Sequence, residues 1–305
     1  MRRISEYDAR DWMRGLPVVH GFKQTRNDLS LQLFLRQRAA GMAPFMERLR
    51  TLHADTLAAV VAFERPDVLG WLLFEAREHL RDIQLVVFDN SRHRALRPAI
   101  AAVCRKACVP YLPLPWNPTH HVNRSHGRAM TWIHRNVFRP LAPKRFGFID
   151  HDLIPIRRFS LSERMGDAPV YGLRQPSEYH FRRWSLWAGY CFYDTRAVAA
   201  RRLNFLYDFG AGLDTGGRNW TPLYRSLDAL SLPTASEEAG HLHPAGLPEQ
   251  EVSVLDGAWM HIGSVSYNDN YRGRKAYFDA LEARRRAGAP WTELMTLPSD
   301  SSDGS

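Results

Sequence analysis

Residues 145–155 read Arg145-Phe146-Gly147-Phe148-Ile149-Asp150-His151-Asp152-Leu153-Ile154-Pro155. The run from Phe146 to Ile149 is apolar without alternation and stops abruptly at a polar triplet. A short continuous apolar run bounded in this way reads as a strand buried on both faces. Where that strand gives way to loop, two carboxylates one residue apart can turn toward one ligand. Their hard oxygens suit Mg²⁺ or Mn²⁺, and such an ion binds a diphosphate in turn. A strand-end turn capped by Asp uses the same residue types, so the triplet takes its meaning from its surroundings.

Upstream, the same pattern recurs. Residues 57–63 form an apolar run that stops at Glu64-Arg65-Pro66, and residues 83–88 form another that stops at Asp89-Asn90-Ser91. Helical spacing marks residues 67–80, 94–107 and 124–138, with a weaker strand over 110–114. Strand and helix in alternation predict an α/β fold with a Rossmann-like, mostly parallel central sheet and helices on both faces. In such sheets the ligand lies beyond the carboxyl ends of the strands, where Glu64, Asp89 and Asp150 fall. Apolar residues at helical spacing over 28–52, interrupted at Gly41 and Pro44, predict an N-terminal helical extension. Residues 1–27 show no clear period.

Downstream, residues 170–173 and the aromatic stretch 184–193 read as strands, and 195–205 as a helix. The glycine-rich segment 209–220 reads as a loop, 251–255 and 258–262 as short strands, and 272–287 as a last helix. The expected organisation is an extension over 1–52 and one domain over 53–290. That domain divides into a nucleotide-binding half, 53–155, and an acceptor half, 156–290. Residues 291–305 are an expected disordered tail, on the composition of their last eight.

The chain has 305 residues, 45% of them hydrophobic, enough for a sizeable core. It carries 41 Lys and Arg against 32 Asp and Glu, a formal charge of +9. Only Lys23, Lys106, Lys144 and Lys275 are lysines. A bias toward arginine codons accounts for this, and Arg forks also suit phosphates. Arg201-Arg202 and Arg284-Arg285-Arg286 are too short to make a polyanion-binding block, and no nucleic acid partner is expected. Three cysteines without CxxC spacing argue against a disulfide framework or a structural zinc site and fit a reducing cytoplasm. The N-terminus has basic residues with no apolar stretch behind them, and no window approaches a membrane span. Any contact with the inner membrane surface is therefore expected to be peripheral. P-loop, GxGxxG and GxSxG motifs are absent.

The apolar strand, the Asp-X-Asp triplet and Leu153-Ile154-Pro155 together resemble the corresponding segment of GT-A-fold glycosyltransferases, particularly the family 2-like group. AFERP (62–66), VVFDNS (86–91), HGRAMTWIHRN (126–136) and WAGY (187–190) occur in that family's order, so the resemblance spans roughly residues 55–275. It implies a nucleotide-diphospho-sugar transferase fold and a metal-dependent transfer, inverting by family likeness, to a glycan or lipid-linked acceptor in polysaccharide biosynthesis. The donor would be a nucleoside-diphosphate sugar and the cofactor Mn²⁺ or Mg²⁺. Phe63, Glu64, Arg65, Asp89, Asn90, Asn123, Arg128, Asp150 and His151 would surround the nucleotide. Asp150, Asp152 and a late-returning His261 would hold the metal, with Asp152 the principal ligand. His151 departs from the family's usual small or acidic middle residue and fits a solvent-facing or supporting position. Asp214, in Gly212-Leu213-Asp214-Thr215-Gly216-Gly217, is the expected base, ahead of Asp208 and Glu249, and Gly-rich loops equally favour a turn-forming Asp. Trp187 and Gly189 would face the acceptor. His120, His121 and His126 fit no zinc spacing; the resemblance instead implies that His126 and Gly127, with Asn123 and Arg128, touch the nucleotide. Two other readings stay open: a sugar-phosphate nucleotidyltransferase, and a non-catalytic basic binding protein.

Overall fold

The computed structural model describes residues 17–119, 121–243, 248–263, 265 and 271–297. Its centre is a six-stranded sheet in the order β3-β2-β1-β4-β7-β6. The strands are β1 (Thr56–Ala62), β2 (Gln84–Asp89), β3 (Tyr111–Pro113), β4 (Arg145–Asp150), β6 (Val170–Pro176) and β7 (Trp184–Asp194). β1 runs parallel to β2 and β4, and β2 to β3, whereas β7 is antiparallel to β4 and β6. The mixed α/β architecture with a mostly parallel sheet is thus the one expected.

Period-2 alternation sorts the buried strand residues into two cores. Ala58, Val60 and Ala62 face helices α3 (Pro66–His79) and α4 (Arg97–Lys106). Leu57, Ala59 and Val61 face α1 (Pro17–Leu35), α2 (Met42–Thr51) and α5 (Val122–Ile133). Proline stands in the first turn of α3 and α4, where its missing N–H costs nothing. The N-terminal helices belong to this second core: Phe34, Phe45 and Met46 are buried in it, and Phe45 meets Phe88 edge-on at 5.5 Å. The first helix ends at Leu35, before Gly41, which is in the left-handed region at φ 78° and stands at the N-cap of α2, while Pro44 sits harmlessly in the first turn of α2. α1 starts at Pro17, earlier than the apolar spacing suggested.

A second sheet, β11-β8-β9-β10-β5, packs beside the first. It comprises β5 (Leu153–Pro155), β8 (Glu237–Leu242), β9 (Gln250–Leu255), β10 (Trp259–His261) and β11 (Met295–Thr296), all antiparallel to their neighbours. Asp256 and Gly257, at φ 55° and 60°, make the tight β9–β10 turn, a backbone that an Asp-Gly pair favours. The long last helix is α6 (Lys275–Arg286).

Three local expectations need correction. The helix expected over 195–205 stops after one turn, Thr195–Val198. Asn204 and Asn219 side chains then bond backbone N–H groups of Leu206 and Asn204, an alternative to helix that Asn offers. The helix expected over 124–138 passes at Ile133 into a π-helical segment, His134–Phe138. Residues 291–297, grouped with the tail, instead form a short helix, Trp291–Leu294, and β11. There Trp291 stacks on Trp71 at 6.1 Å between centroids and Leu294 is buried. Residues 298–305 lie outside the described residues.

Candidate functional site

The triplet's setting follows from strand register. β4 ends at Asp150, which pairs with Val61 of the parallel β1. Three residues later β5 enters the second sheet, pairing Leu153 with His261 and Ile154 with Met260. The Ile262 N–H donates to the Asp152 carbonyl at 3.0 Å. The triplet thus bridges two sheets, and antiparallel pairing returns His261 to it from over a hundred residues away. His261 Nε2 stands 3.8 Å from Asp152 Oδ1. On the other flank, His126 Nε2 stands 3.6 Å from Asp150 Oδ1.

These residues line a cavity of about 260 Å³ beyond the carboxyl ends of β1, β2 and β4. Of the residues singled out from sequence, Phe63, Asn90, Asn123, Asp150, His151, Asp152, Trp187, Asp214 and His261 all line it. His151 does not face solvent: it is 4% exposed, and its Nε2 has no hydrogen-bond partner. His126 Nε2 is likewise buried and makes no hydrogen bond, its approach to Asp150 being 3.6 Å. Asp214 approaches from the glycine-rich loop, and Asn123 Nδ2 donates to its Oδ1 at 3.1 Å. The Trp187 ring leans on His261, with 4.8 Å between centroids. Gly189 stands behind them; a Cβ there would lie 2.5 Å from Asp150 Oδ2 and 2.5 Å from the Trp187 ring. It leaves the space those two side chains fill rather than lining the cavity.

Glu64, Arg65, Asp89 and Arg128 do not line it either, and the first three are bonded elsewhere. Asp89 is 0% exposed; its Oδ1 accepts from the Ser91 N–H and its Oδ2 from the Tyr111 hydroxyl, both at 2.8 Å. Burial and the Asp89 charge push the Tyr111 phenol well up, so it stays a donor. Glu64 adopts a left-handed backbone at φ 57°, rare for a side-chain-bearing residue. Its Oε1 accepts from the N–H groups of Arg92 and His93 at 3.0 and 2.9 Å, which locks the loop after β1 to the loop after β2. Arg65 forks onto Asp67 at 3.0 and 2.6 Å and lies over the Tyr271 ring at 4.0 Å. Arg128 is buried, and its guanidinium pKa is lowered by that burial and by Arg124 and Arg26.

Helical phase explains this split on α5. Asn123 and His126, three apart, face the cavity, while Arg124 and Arg128, four apart, face elsewhere. Arg124 Nη2 donates to the Tyr207 hydroxyl at 2.6 Å. Sequence reasoning also left out the lining residues Arg92, Ser125 and Thr215. Ser125 accepts from Asn90 Nδ2 at 2.9 Å, joining α5 to the end of β2.

Asp152 Oδ1 and His261 Nε2 could share a cation, as could Asp150 Oδ1 and His126 Nε2. Mg²⁺ ordinarily takes one or two protein carboxylates and completes its shell with phosphate oxygens and water. An octahedral shell puts neighbouring ligands about 3 Å apart, so the 3.8 Å gap closes with a small side-chain rotation. Among the described residues, three ligand atoms come within 4.8 Å of one another only at Glu75, Glu78 and His79. There Arg285 Nη2 donates to Glu75 and Glu78 at 2.8 and 3.2 Å, and so already supplies the positive charge. No described helix is long and apolar enough to cross a membrane.

No protein-family model and no curated protein matches the chain. Among solved structures it is similar to the crystal structure of S. aureus TarS, at 14% identity and a TM-score of 0.34. That similarity covers 49% of this chain and 30% of the TarS chain.

Proposed function

We propose that the protein is a metal-dependent glycosyltransferase of the GT-A type. It would move a sugar from a nucleoside-diphosphate donor to a hydroxyl of a glycan or lipid-linked acceptor, with inversion. The observation that carries this reading is the convergence of Asp152, Asp150, His261 and Asp214 on one cavity at the carboxyl edge of a mostly parallel sheet. The mixed strand order, with β7 antiparallel against β4, fits the same fold.

In this reading Asp152 and His261 would hold Mn²⁺ or Mg²⁺, which would neutralise charge on the departing nucleoside diphosphate. Asp150 faces the ribose or the sugar. Phe63, Asn90 and Asn123 line the nucleotide side, and Glu64 and Asp89 act behind them by fixing the two loops. Trp187 offers a ring face to a sugar. Asp214 takes the acceptor proton; its Oδ1 is held by Asn123, and its Oδ2 has no partner among the described residues. A carboxylate fixed by one oxygen and free at the other is arranged for that proton transfer.

The test is thermal melting with nucleoside diphosphates, with and without Mn²⁺. A ligand at 100 times its Kd adds about 2.7 kcal/mol of stability. The expected outcome is a stabilisation that requires both nucleotide and Mn²⁺ and vanishes in Asp152→Asn. If no nucleoside diphosphate stabilises the protein in Mn²⁺, or if Asp152→Asn responds like the wild type, the reading fails. Pyrophosphate release from a sugar phosphate and a nucleoside triphosphate would point to nucleotide-sugar synthesis instead.

A further inference from the structure

Large apolar side chains are unevenly exposed. Nine are exposed among the described residues, and six of them sit on three neighbouring segments: Phe22, Leu29 and Leu33 on α1, and Tyr179, Phe181 and Phe209 on two loops. Phe22, Leu29 and Leu33 are spaced seven and four apart and so share one helical face. Phe181 is 89% exposed and Phe22 is 73% exposed.

The two loops are fixed to each other. Ser177 Oγ accepts from the Tyr179 and His180 N–H groups at 3.1 and 3.0 Å and donates to the Ala211 carbonyl at 2.5 Å. The Glu178 N–H donates to the Gly212 carbonyl at 3.0 Å. Gly212, at φ 62°, lets Tyr179 pack against it; a Cβ there would meet the ring at 2.7 Å. The loop tip that carries Phe181 is therefore built to hold an aromatic ring in water. The same unit reaches α1: the Arg218 guanidinium pairs with Asp28 and donates to the Tyr207 carbonyl, and the Tyr207 ring meets Phe209 at 4.2 Å. It also reaches the cavity, because Asp214 follows Gly212 by two residues and Trp187 lies on the strand that the Phe181 loop enters.

The charges beside these rings are mostly positive. Arg26, Arg36 and Arg182 are exposed and Lys23 is half-buried. Asp28 pairs with Arg218 and Asp208 caps the turn at Ala211; Glu178 and Asp214 are the exposed acids on the two loops. Apolar and aromatic tips set among cations are the chemistry of an interfacial anchor. The rings enter the boundary between headgroups and acyl chains, and each cation near an anionic surface strengthens the attachment. A sugar platform would need the rings but not the surrounding cations.

We infer that this rim, formed by α1 and the loops carrying Phe181 and Phe209, docks the protein on an anionic lipid bilayer with the cavity opening beside the headgroups. On the transferase reading, which this step assumes, the acceptor is then lipid-linked rather than a free glycan. The docking itself needs neither donor nor metal, so the two readings can fail separately.

The full chain is sedimented with vesicles of phosphatidylcholine alone and with vesicles containing about one-third phosphatidylglycerol. Binding is expected to the anionic vesicles, weakening with salt, and to be about tenfold weaker for each of Phe22→Ser and Phe181→Ser. Arg182→Glu should weaken it as well. Both phenylalanines are exposed, so thermal melting should stay that of the wild type; Tyr179→Ser serves as a replacement should either variant misfold. The inference is overturned if the wild type stays in the supernatant with anionic vesicles. It is also overturned if the serine variants bind as the wild type does, which would reduce attachment to net charge. Retention on a soluble neutral polysaccharide in place of vesicles would make the rim a sugar platform and overturn it too.

Discussion

Asp152 and His261 are brought together by three backbone pairings, Leu153 with His261 being the nearest. Such a pairing is invisible as local pattern, and only the order of motifs hinted at it. Asp150 and Asp152 were legible because an apolar strand stops at them. Glu64 and Asp89 looked equivalent by that criterion, yet their oxygens accept loop N–H groups and a phenol instead of facing the cavity. A strand-end carboxylate reads the same in sequence whether its partner is a ligand or the next loop. His126 and Arg128 read alike as nucleotide contacts by family likeness, and the phase of α5 puts only His126 on the cavity. Gly189 makes a sharp prediction at this scale. Gly189→Ala would put a methyl group 2.5 Å from Asp150 Oδ2 and from the Trp187 ring, both of them side-chain atoms that can move. The fold should survive with its melting temperature little changed, while on the proposed function a displacement of about 1 Å in the site should lower transfer by up to about 100-fold. The check is nucleoside-diphosphate release from a donor by wild type and variant. Equal rates would mean that the positions of Asp150 and Trp187 do not govern the reaction.

Elements with strong apolar character were legible, and those made by tertiary contact were not. β1, β2 and β4 are buried along nearly their whole length, so their sequences carry continuous apolar runs. β8, Glu-Glu-Ala-Gly-His-Leu, has no such run; it exists because β9 pairs along all six of its residues and β11 adds at its other edge. The end of α5 shows a further limit. The helical pattern over 124–138 was right in outline, but one turn widens into a π segment, and this places His134 against Phe146 and Phe205 with centroids at 5.2 and 6.1 Å. Burial, then the charge of Arg139, lowers the His134 pKa to about 4 from 6.5. Between those values the unfolded chain binds a proton that the folded chain refuses, so stability is full above pH 6.5 and declines as pH falls toward 4. The shift corresponds to roughly 3 kcal/mol at its full extent. Melting followed from pH 7 to pH 4 should show that decline, and His134→Leu should flatten the part of the curve between pH 6.5 and 4.5. A curve unchanged by the substitution would assign the acid sensitivity to other groups.

At the scale of the molecule, net charge proved a poor guide because several arginines are spent inside. Arg285 belongs to a triplet that reads as a short basic block, yet it is buried and forks onto Glu75, with Nε and Nη2 at 3.0 and 2.8 Å. Trp291 Nε1 adds a bond to Glu75 at 3.3 Å, and Trp71 Nε1 another at 3.2 Å. This polar knot ties α6 and the terminal residues 291–297 to α3, and so to the central sheet. It explains why the C-terminal segment folds where composition suggested a tail: the tail-like residues are the last eight, and Trp291, Leu294 and Leu297 before them are buried. Burial alone would raise the Glu75 pKa, but the His79 imidazole 3.4 Å away and the hydrogen bonds from Arg285 outweigh it and hold the carboxyl at about 2, below its usual 4.5. The knot's contribution is therefore complete above pH 4.5 and is lost as pH falls from 4.5 toward 2, a window below that of His134. Removing one partner strands the other charge in the interior, which typically costs 3–5 kcal/mol, whereas replacing both by apolar residues of similar volume is often neutral. Glu75→Leu alone should then lower the midpoint of urea unfolding markedly, and Arg285→Met alone likewise. The double variant should recover most of the loss, because the two indoles and the aliphatic stems still pack. If instead the double variant is as unstable as the sum of the singles, the knot stabilises by attraction, and the C-terminal segment depends on its charges rather than on its packing.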